Sequence, residues 1–508
     1  MTLTKVKNTL FGDHHFRDMK GAAGAPYLLP IRLTVIYLLF SVCVYAFGPF
    51  QWVTYKPVLF YTLLFLYVLA LWFGYRLGLM SRINDKTSWK ESYTELLIKI
   101  VSPLIVINFI LYVVNIFRDY GFATFDFVGL WKQMWVGIQN PGYGYQLRLQ
   151  RIATLSGANI LGGTAVSLLN YLWAFVKYPI ILASMLYFRK LKPYAKVFAV
   201  LYLVAVVLFY MSIGTNIDIL GVFLFLELPA ILGAFTHWKN KTLNKKQVIK
   251  LIASLLAGVL LIFSYFTWMM VSRGGINRYD DPSYNIGGIT IDIGQNATEP
   301  LESEPEPTDV EETEPGATAA PTTPVQKPGA KPQSSWVPPI VMKFWVSFSS
   351  YFTQGYYGMS LAMNLPWQPM YGVGNSMFLV DLISDHFTDI DQYTYQVRME
   401  PMGWDSDIQW HSMYTWLAND VSFFGVVILM LAIGILFGAM FKDAITSGNP
   451  FAKMSIFYFM LMIIFIPCNN QLGQRADTLF SFILLILLWI LSHYPLPFMK
   501  KAFCRNKK

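Results

Sequence analysis

The sequence predicts an all-α, polytopic transmembrane helical bundle. Three observations carry this expectation. The chain is 55% hydrophobic and only 14% charged, whereas soluble proteins are about a quarter charged. Apolar runs long enough to cross a bilayer as helices recur along it. Lys and Arg gather in the short loops between those runs, the pattern by which a chain orients itself in a membrane.

The apolar runs lie near 30–48, 57–79, 96–117, 165–188, 195–213, 217–236, 249–271, 418–440, 452–468 and 478–494, giving about ten spans of roughly twenty residues. The N-terminus (Lys5, Lys7, Arg17, Lys20), the 80–95 loop (Arg82, Lys86, Lys90), Arg189 to Lys196, Lys239 to Lys250 and the tail from Lys500 are basic. These are the expected cytoplasmic segments, and an even span count puts both termini on that side of the membrane. The net charge of +9 is then a topological signal, and nucleic acid is not an expected partner. No cleaved signal peptide is expected. Cys43, Cys468 and Cys504 fall at different depths or sides, so no disulfide framework follows.

Three regions result. Residues 1–271 form an N-terminal transmembrane region with an external loop, 118–164. Residues 272–417 are external, with an acidic, Pro/Thr-rich linker at 296–337 and an amphipathic or re-entrant part at 338–417. Residues 418–508 form a C-terminal transmembrane region with a basic cytoplasmic tail. The linker lacks apolar periodicity and is expected to be disordered. Its Asn296 begins an Asn-Ala-Thr sequon. The apolar stretch 338–364 is expected to re-enter or lie on the membrane; a hairpin over 338–388 would raise the count to twelve.

Chemistry is expected in the external stretch from Tyr351 to Gly425. Asp405, Asp407, His411 and Asp420 stand there among Trp and Tyr, and aromatic faces beside carboxylates suit carbohydrate. Tyr356, Tyr357, Tyr371, Trp404 and Trp410 are the candidate glycan contacts. Tyr-Gly clusters of this kind also make tight turns and interfacial belts. His411 and Asp420 are the candidate proton acceptors, with Asp407 orienting His411 one turn away if 405–425 is helical. Arg148, Arg151, Arg273, Arg278 and Arg475 sit near span ends, where the arginine fork suits anionic oxygens in pairs. Arg398 is a further basic residue in the large loop. Most ionisable residues lie near span ends, with Glu227 as the exception. No metal-ligand spacing is found, and no cofactor is expected.

The segments TQGYYGMSLAMNLPWQPMYGVGNS from Thr353, HSMYTWLANDVSFFG from His411 and GTNIDILGVFLFL from Gly214 resemble, in order and spacing, the O-antigen polymerase-like family of bacterial oligosaccharide repeat-unit polymerases. Arg151 followed by ten residues and Gly162 is similar to a pattern of their external loops. The resemblance covers mainly the C-terminal half. Asn216 and Asp218 stand where the family often has a basic residue, and the acidic linker is a further departure.

The resemblance implies transfer of a growing glycan from undecaprenyl diphosphate to a hydroxyl of the next lipid-linked repeat unit. It implies lipid-linked oligosaccharide, membrane lipids, a flippase and a chain-length regulator as partners. The same carrier and arginines would serve a ligase that moves glycan to another acceptor. A lipid-linked glycan flippase or transporter would instead show internal repeats and midplane charges.

Overall fold

The computed structural model describes residues 24–81, 91–155, 163–215, 217–272, 283–286, 289–292, 329–330, 339–406 and 409–493. Its helices are α1 (Ala25–Phe47), α2 (Pro57–Leu79), α3 (Glu91–Asp119), α4 (Phe127–Gln139), α5 (Pro141–Leu155), α6 (Gly163–Ala174), α7 (Lys177–Leu186), α8 (Pro193–Ser212), α9 (Ile217–Lys239) and α10 (Lys245–Ser272). They continue as α11 (Pro339–Ala362), α12 (Met377–His386), α13 (Met413–Thr446), α14 (Pro450–Phe465) and α15 (Ala476–His493). Eight of them are long and apolar enough to cross a membrane, and a ninth crossing results if α6 and α7, bent by 49°, form one broken span. The chain is a multi-pass helical bundle, as the composition predicts.

The tightest packing joins α2 to α13, and glycine is its cause. A Cβ on Gly74 would stand 2.1 Å from the Leu431 carbonyl oxygen, and one on Gly78 would stand 2.1 Å from that of Ile435. From the other side, Gly434 and Gly438 press on the carbonyls of Leu71 and Tyr75. Each helix thus presents two glycines four residues apart, the spacing that lets helix backbones approach closely in a bilayer. Because Gly74 meets Leu431 and Gly78 meets Ile435 and Ala439, the two helices run parallel.

Parallel helices must be joined by an odd number of crossings. If α6–α7 is one broken span, α3, α6–α7, α8, α9 and α10 supply five, and α11 adds no further crossing. It is a single helix of 24 residues, unbroken where a re-entrant hairpin would turn. Helix α12 has 10 residues, about 15 Å long, which is half a bilayer. The twelve-span hairpin over 338–388 is therefore not formed.

Helix α14, with 16 residues, returns between α13 and α15. Met413 N–H donates to the Ile466 carbonyl at 3.0 Å, so the start of α13 meets the end of α14. At the opposite end the Asp443 carboxylate, 0% exposed, accepts from Trp489 Nε1 and from His493 Nε2, each at 2.8 Å. That buried cluster ties α15 to α13. Helix α14 is apolar but shorter than the crossing helices, so the described residues give eight crossings, or nine with α6–α7 as one, beside the roughly ten expected from the apolar runs. The acidic linker lies outside the described residues, apart from Gly329–Ala330, which pairs with Phe50–Gln51.

Candidate functional site: a charged cleft

Three chain breaks converge at the end of the bundle where α13 begins. The α6–α7 bend carries Lys177, the first turn of α9 carries Asp218, the loop into α15 carries Arg475, and the first turn of α15 carries Asp477. Carboxylates in the first turn of a helix are favoured by its dipole, which is why both aspartates hold there. Arg475 grips Asp218 with both guanidinium ends, at 3.0 Å to Oδ2 and 2.7 Å to Oδ1. Its Nη2 also donates to the Tyr178 hydroxyl at 2.7 Å, and its Nη1 to the Tyr210 hydroxyl at 3.3 Å. Lys177 Nζ lies 2.6 Å from Asp477 Oδ2, and Arg475 Nε lies 3.5 Å from Asp477 Oδ1. Charges in an apolar bundle are costly unless paired in this way.

This network forms the floor of a cleft of about 1090 Å³ between α3, α6, α8 and α15. A narrower annex of about 480 Å³ continues behind it, lined by Tyr112, Tyr178, Tyr202 and Tyr210. The walls are polar and preorganised. Asn115 and Asn170 exchange amide hydrogen bonds at 2.9 and 2.7 Å, Trp173 Nε1 donates to Asn108 at 2.8 Å, and Arg118 donates to Ser167 at 2.8 Å. Asp119 lies exposed on the cleft, under the charges of Arg148, Arg118, Lys177 and Arg151. Arg151 also stacks over the Tyr120 ring at 4.2 Å, a cation–π contact that fixes its direction. Arg475 keeps 38% and Lys177 27% of their side chains exposed, so a guest in the cleft can reach both.

Of the arginines predicted from sequence, Arg475 lines the cleft, and Arg148 and Arg151 act on its residue Asp119. Arg273 and Arg278 lie outside the described residues, as does Asp407. Arg398 is elsewhere, donating to the Pro366 carbonyl at 2.9 Å. Lys177, Asp477, Arg118 and Asp119 escaped sequence reasoning. Lys177 had a legible signal, since it interrupts the 165–188 apolar run where a charge is expensive; Glu227 is thus not alone.

The predicted acid–base residues take other places. Residues 409–412 are not helical and α13 starts at Met413, so His411 lies ahead of the helix expected over 405–425; its expected partner Asp407 lies outside the described residues. His411 is 2% exposed, edge-on to Trp404 and Trp416, with both ring nitrogens lacking a protein partner. Burial pushes its imidazole down to about 3. Asp420 receives the backbone N–H groups of Gly372, Gly374 and Asn375 at 2.8, 3.0 and 2.9 Å and the Asn375 amide at 2.7 Å. It organises the Tyr371 to Ser376 loop, and its lone pairs are spent there.

The aromatic set divides as well. Tyr356, Tyr357 and Trp404 are each 1% exposed or less. Tyr356 bonds Ser41 at 2.9 Å, while Tyr357 stacks on Trp52 and meets Trp404 edge-on, each at 4.9 Å. Their faces are consumed by packing and do not present themselves to a glycan. Trp410 packs on Tyr351 at 4.5 Å. Tyr371, 89% exposed, and nearby Trp367, 45% exposed, remain open. Their loop adjoins the cleft, because Asn470 donates to the Asn375 carbonyl at 2.6 Å and Phe378 contacts the cleft residue Tyr171.

Bundle and cleft together define a multi-pass membrane protein with a charged, tyrosine-backed cleft at one end. No family model, no curated protein and no solved structure matches the chain.

Proposed function

We propose that the protein is a membrane-embedded glycosyltransferase that polymerises lipid-linked oligosaccharide repeat units at the outer face of the bacterial cytoplasmic membrane, with both termini cytoplasmic. The proposal keeps the likeness to O-antigen polymerase-like proteins as its starting point. One observation supports it above the others. Lys177 and Arg475, paired with Asp477 and Asp218, line one cleft together with Asp119, and Arg118, Arg148 and Arg151 act on Asp119 from beside it, so that five cations stand near three carboxylates. A diphosphate diester carries about two negative charges, and its leaving group gains charge as the glycosidic bond breaks, so fixed cations favour the transition state.

In this reading Arg475 and Lys177 hold the carrier diphosphate, with Arg118, Arg148 and Arg151 closing on it from α3 and α5. The glycan passes along Tyr371 and Trp367. Among the cleft carboxylates, Asp218 and Asp477 are committed to ion pairs, whereas Asp119 is exposed. Asp119 therefore accepts the proton of the attacking hydroxyl, in place of His411 or Asp420.

The test is the full chain in nanodiscs supplied with an undecaprenyl-diphosphate-linked repeat unit, with products separated by length. Elongated glycan is expected, reduced on the order of a hundredfold or more by Asp119→Asn and strongly by Arg475→Lys, which keeps charge but loses the paired grip. A fixed glycan length with every repeat unit offered would overturn the proposal. Transfer to a single non-repeat acceptor would favour the ligase, and relocation without transfer the flippase.

A further inference from the structure

The opposite end of the bundle, marked by the Asp443–His493 pair, holds a second cleft, of about 1370 Å³. It opens between the start of α1 and the turn from α9 to α10. Lys239, Lys241 and Lys245 line it, with Tyr27 and Trp238 beside them. The turn is rigid. Lys241 adopts a left-handed backbone with φ 58°, and Asn244 and Gln247 exchange reciprocal hydrogen bonds, Asn244 N–H to Gln247 Oε1 at 3.0 Å and Gln247 N–H to Asn244 Oδ1 at 2.9 Å. Lys239 is anchored by its donation to the Ile445 carbonyl at 3.3 Å. No carboxylate is among the lining residues described.

A second observation, independent of charge, indicates what the cleft takes. Val248 lines it, and from there an apolar stripe descends α10 through Ile252, Leu256, Val259, Leu260 and Phe263, each between 42% and 64% exposed. Within the membrane-crossing window of this helix only 6% is buried by the rest of the protein. A guest seated here meets three ammonium groups and two aromatic rings at its head and bare hydrocarbon along its body. Aromatic rings and lysines in that order mark a bilayer interface.

We propose that this cleft binds the headgroup phosphate of an anionic phospholipid, whose acyl chains lie along α10. The occupant is a lipid because the cleft runs without interruption into the stripe; a free phosphate would use the lysines and leave the stripe unexplained. The proposal stands independently of the catalytic one.

The experiment uses the full chain purified in neutral detergent, titrated with phosphatidylglycerol, phosphatidylcholine or inorganic phosphate and followed by native mass spectrometry. Phosphatidylglycerol should be retained over phosphatidylcholine. Each lysine near a membrane surface contributes roughly fivefold to binding of anionic lipid, so Lys239→Gln/Lys241→Gln/Lys245→Gln should weaken it on the order of a hundredfold. Lys241→Gln/Lys245→Gln, which changes only exposed side chains, should weaken it more than about tenfold and guards against misfolding of the triple variant. Equal retention of the two lipids, or undiminished retention by the double variant, would overturn the proposal. Displacement of phosphatidylglycerol by millimolar inorganic phosphate would overturn the lipid as occupant.

Discussion

At the scale of single residues, burial decides which polar groups can act. His411 shows it most directly. Its imidazole, enclosed by Trp404 and Trp416, is held neutral, and burial brings it down to about 3 from an ordinary value of about 6.5. A proton therefore prefers the unfolded chain. The stability that His411 allows is complete above about pH 6.5 and is lost progressively as pH falls toward 3. Between pH 7 and pH 5 the loss from this one group should be about 2 kcal/mol. Thermal unfolding of wild type and His411→Gln across that range checks it, with the variant showing the flatter profile; parallel profiles would mean that the ring is solvated.

Residue identity in the sequence was a partial guide to these roles. Arg148, Arg151 and Arg475 stand out in the sequence because arginine at a span end has few purposes in a membrane; their hold on a phosphate belongs to the proposal. Asp218 was read only as a departure from a resemblance, yet it is the partner that aims Arg475. Tyr356, Tyr357 and Trp404 misled because an aromatic face that stacks on sugar is chemically the same as one that stacks on Trp52. The difference is solvent exposure, which spacing does not encode. Asp420 misled for a similar reason: its backbone donors come from Gly372, Gly374 and Asn375, more than forty positions away.

At the scale of elements, helices α2 and α13 carry the account of topology. Their glycines let backbone meet backbone, and any side chain must push the helices apart. Gly78→Leu should therefore cost about 1–3 kcal/mol or more, read as a shift in unfolding by denaturing detergent, whereas Gly233→Leu on α9, where an added Cβ meets nothing within 4 Å, should cost far less. Comparable losses at the two sites would contradict the close α2–α13 packing. Helix existence was legible from hydropathy, and most span boundaries agree within a few residues. Helix breaks were not. The α6–α7 bend falls inside a run that reads as one continuous span. The irregular Ser422 within α13, at φ 61° and ψ 166°, is a conformation that glycine normally supplies; nothing in the surrounding sequence announces it.

At the scale of the whole molecule, the bundle places two basic clefts at opposite ends. One is walled by paired charges and tyrosines, the other is open to the hydrocarbon face of α10. The first is the core of the proposed chemistry, and its defining property is a set of fixed cations, Lys177 and Arg475 in the lining of the cleft and Arg118, Arg148 and Arg151 near its Asp119. Such a cleft should distinguish a diphosphate from a monophosphate on the same lipid, because each further phosphate charge finds a fixed cation waiting. The most direct measurement is the dissociation constant of undecaprenyl diphosphate and of undecaprenyl monophosphate for the full chain in nanodiscs. Diphosphate should bind at least about tenfold more tightly, and Arg118→Gln/Lys177→Gln should erase the preference while Lys241→Gln leaves it intact. Equal affinity for the two lipids in the wild-type protein would contradict the assignment of this cleft to a diphosphate carrier.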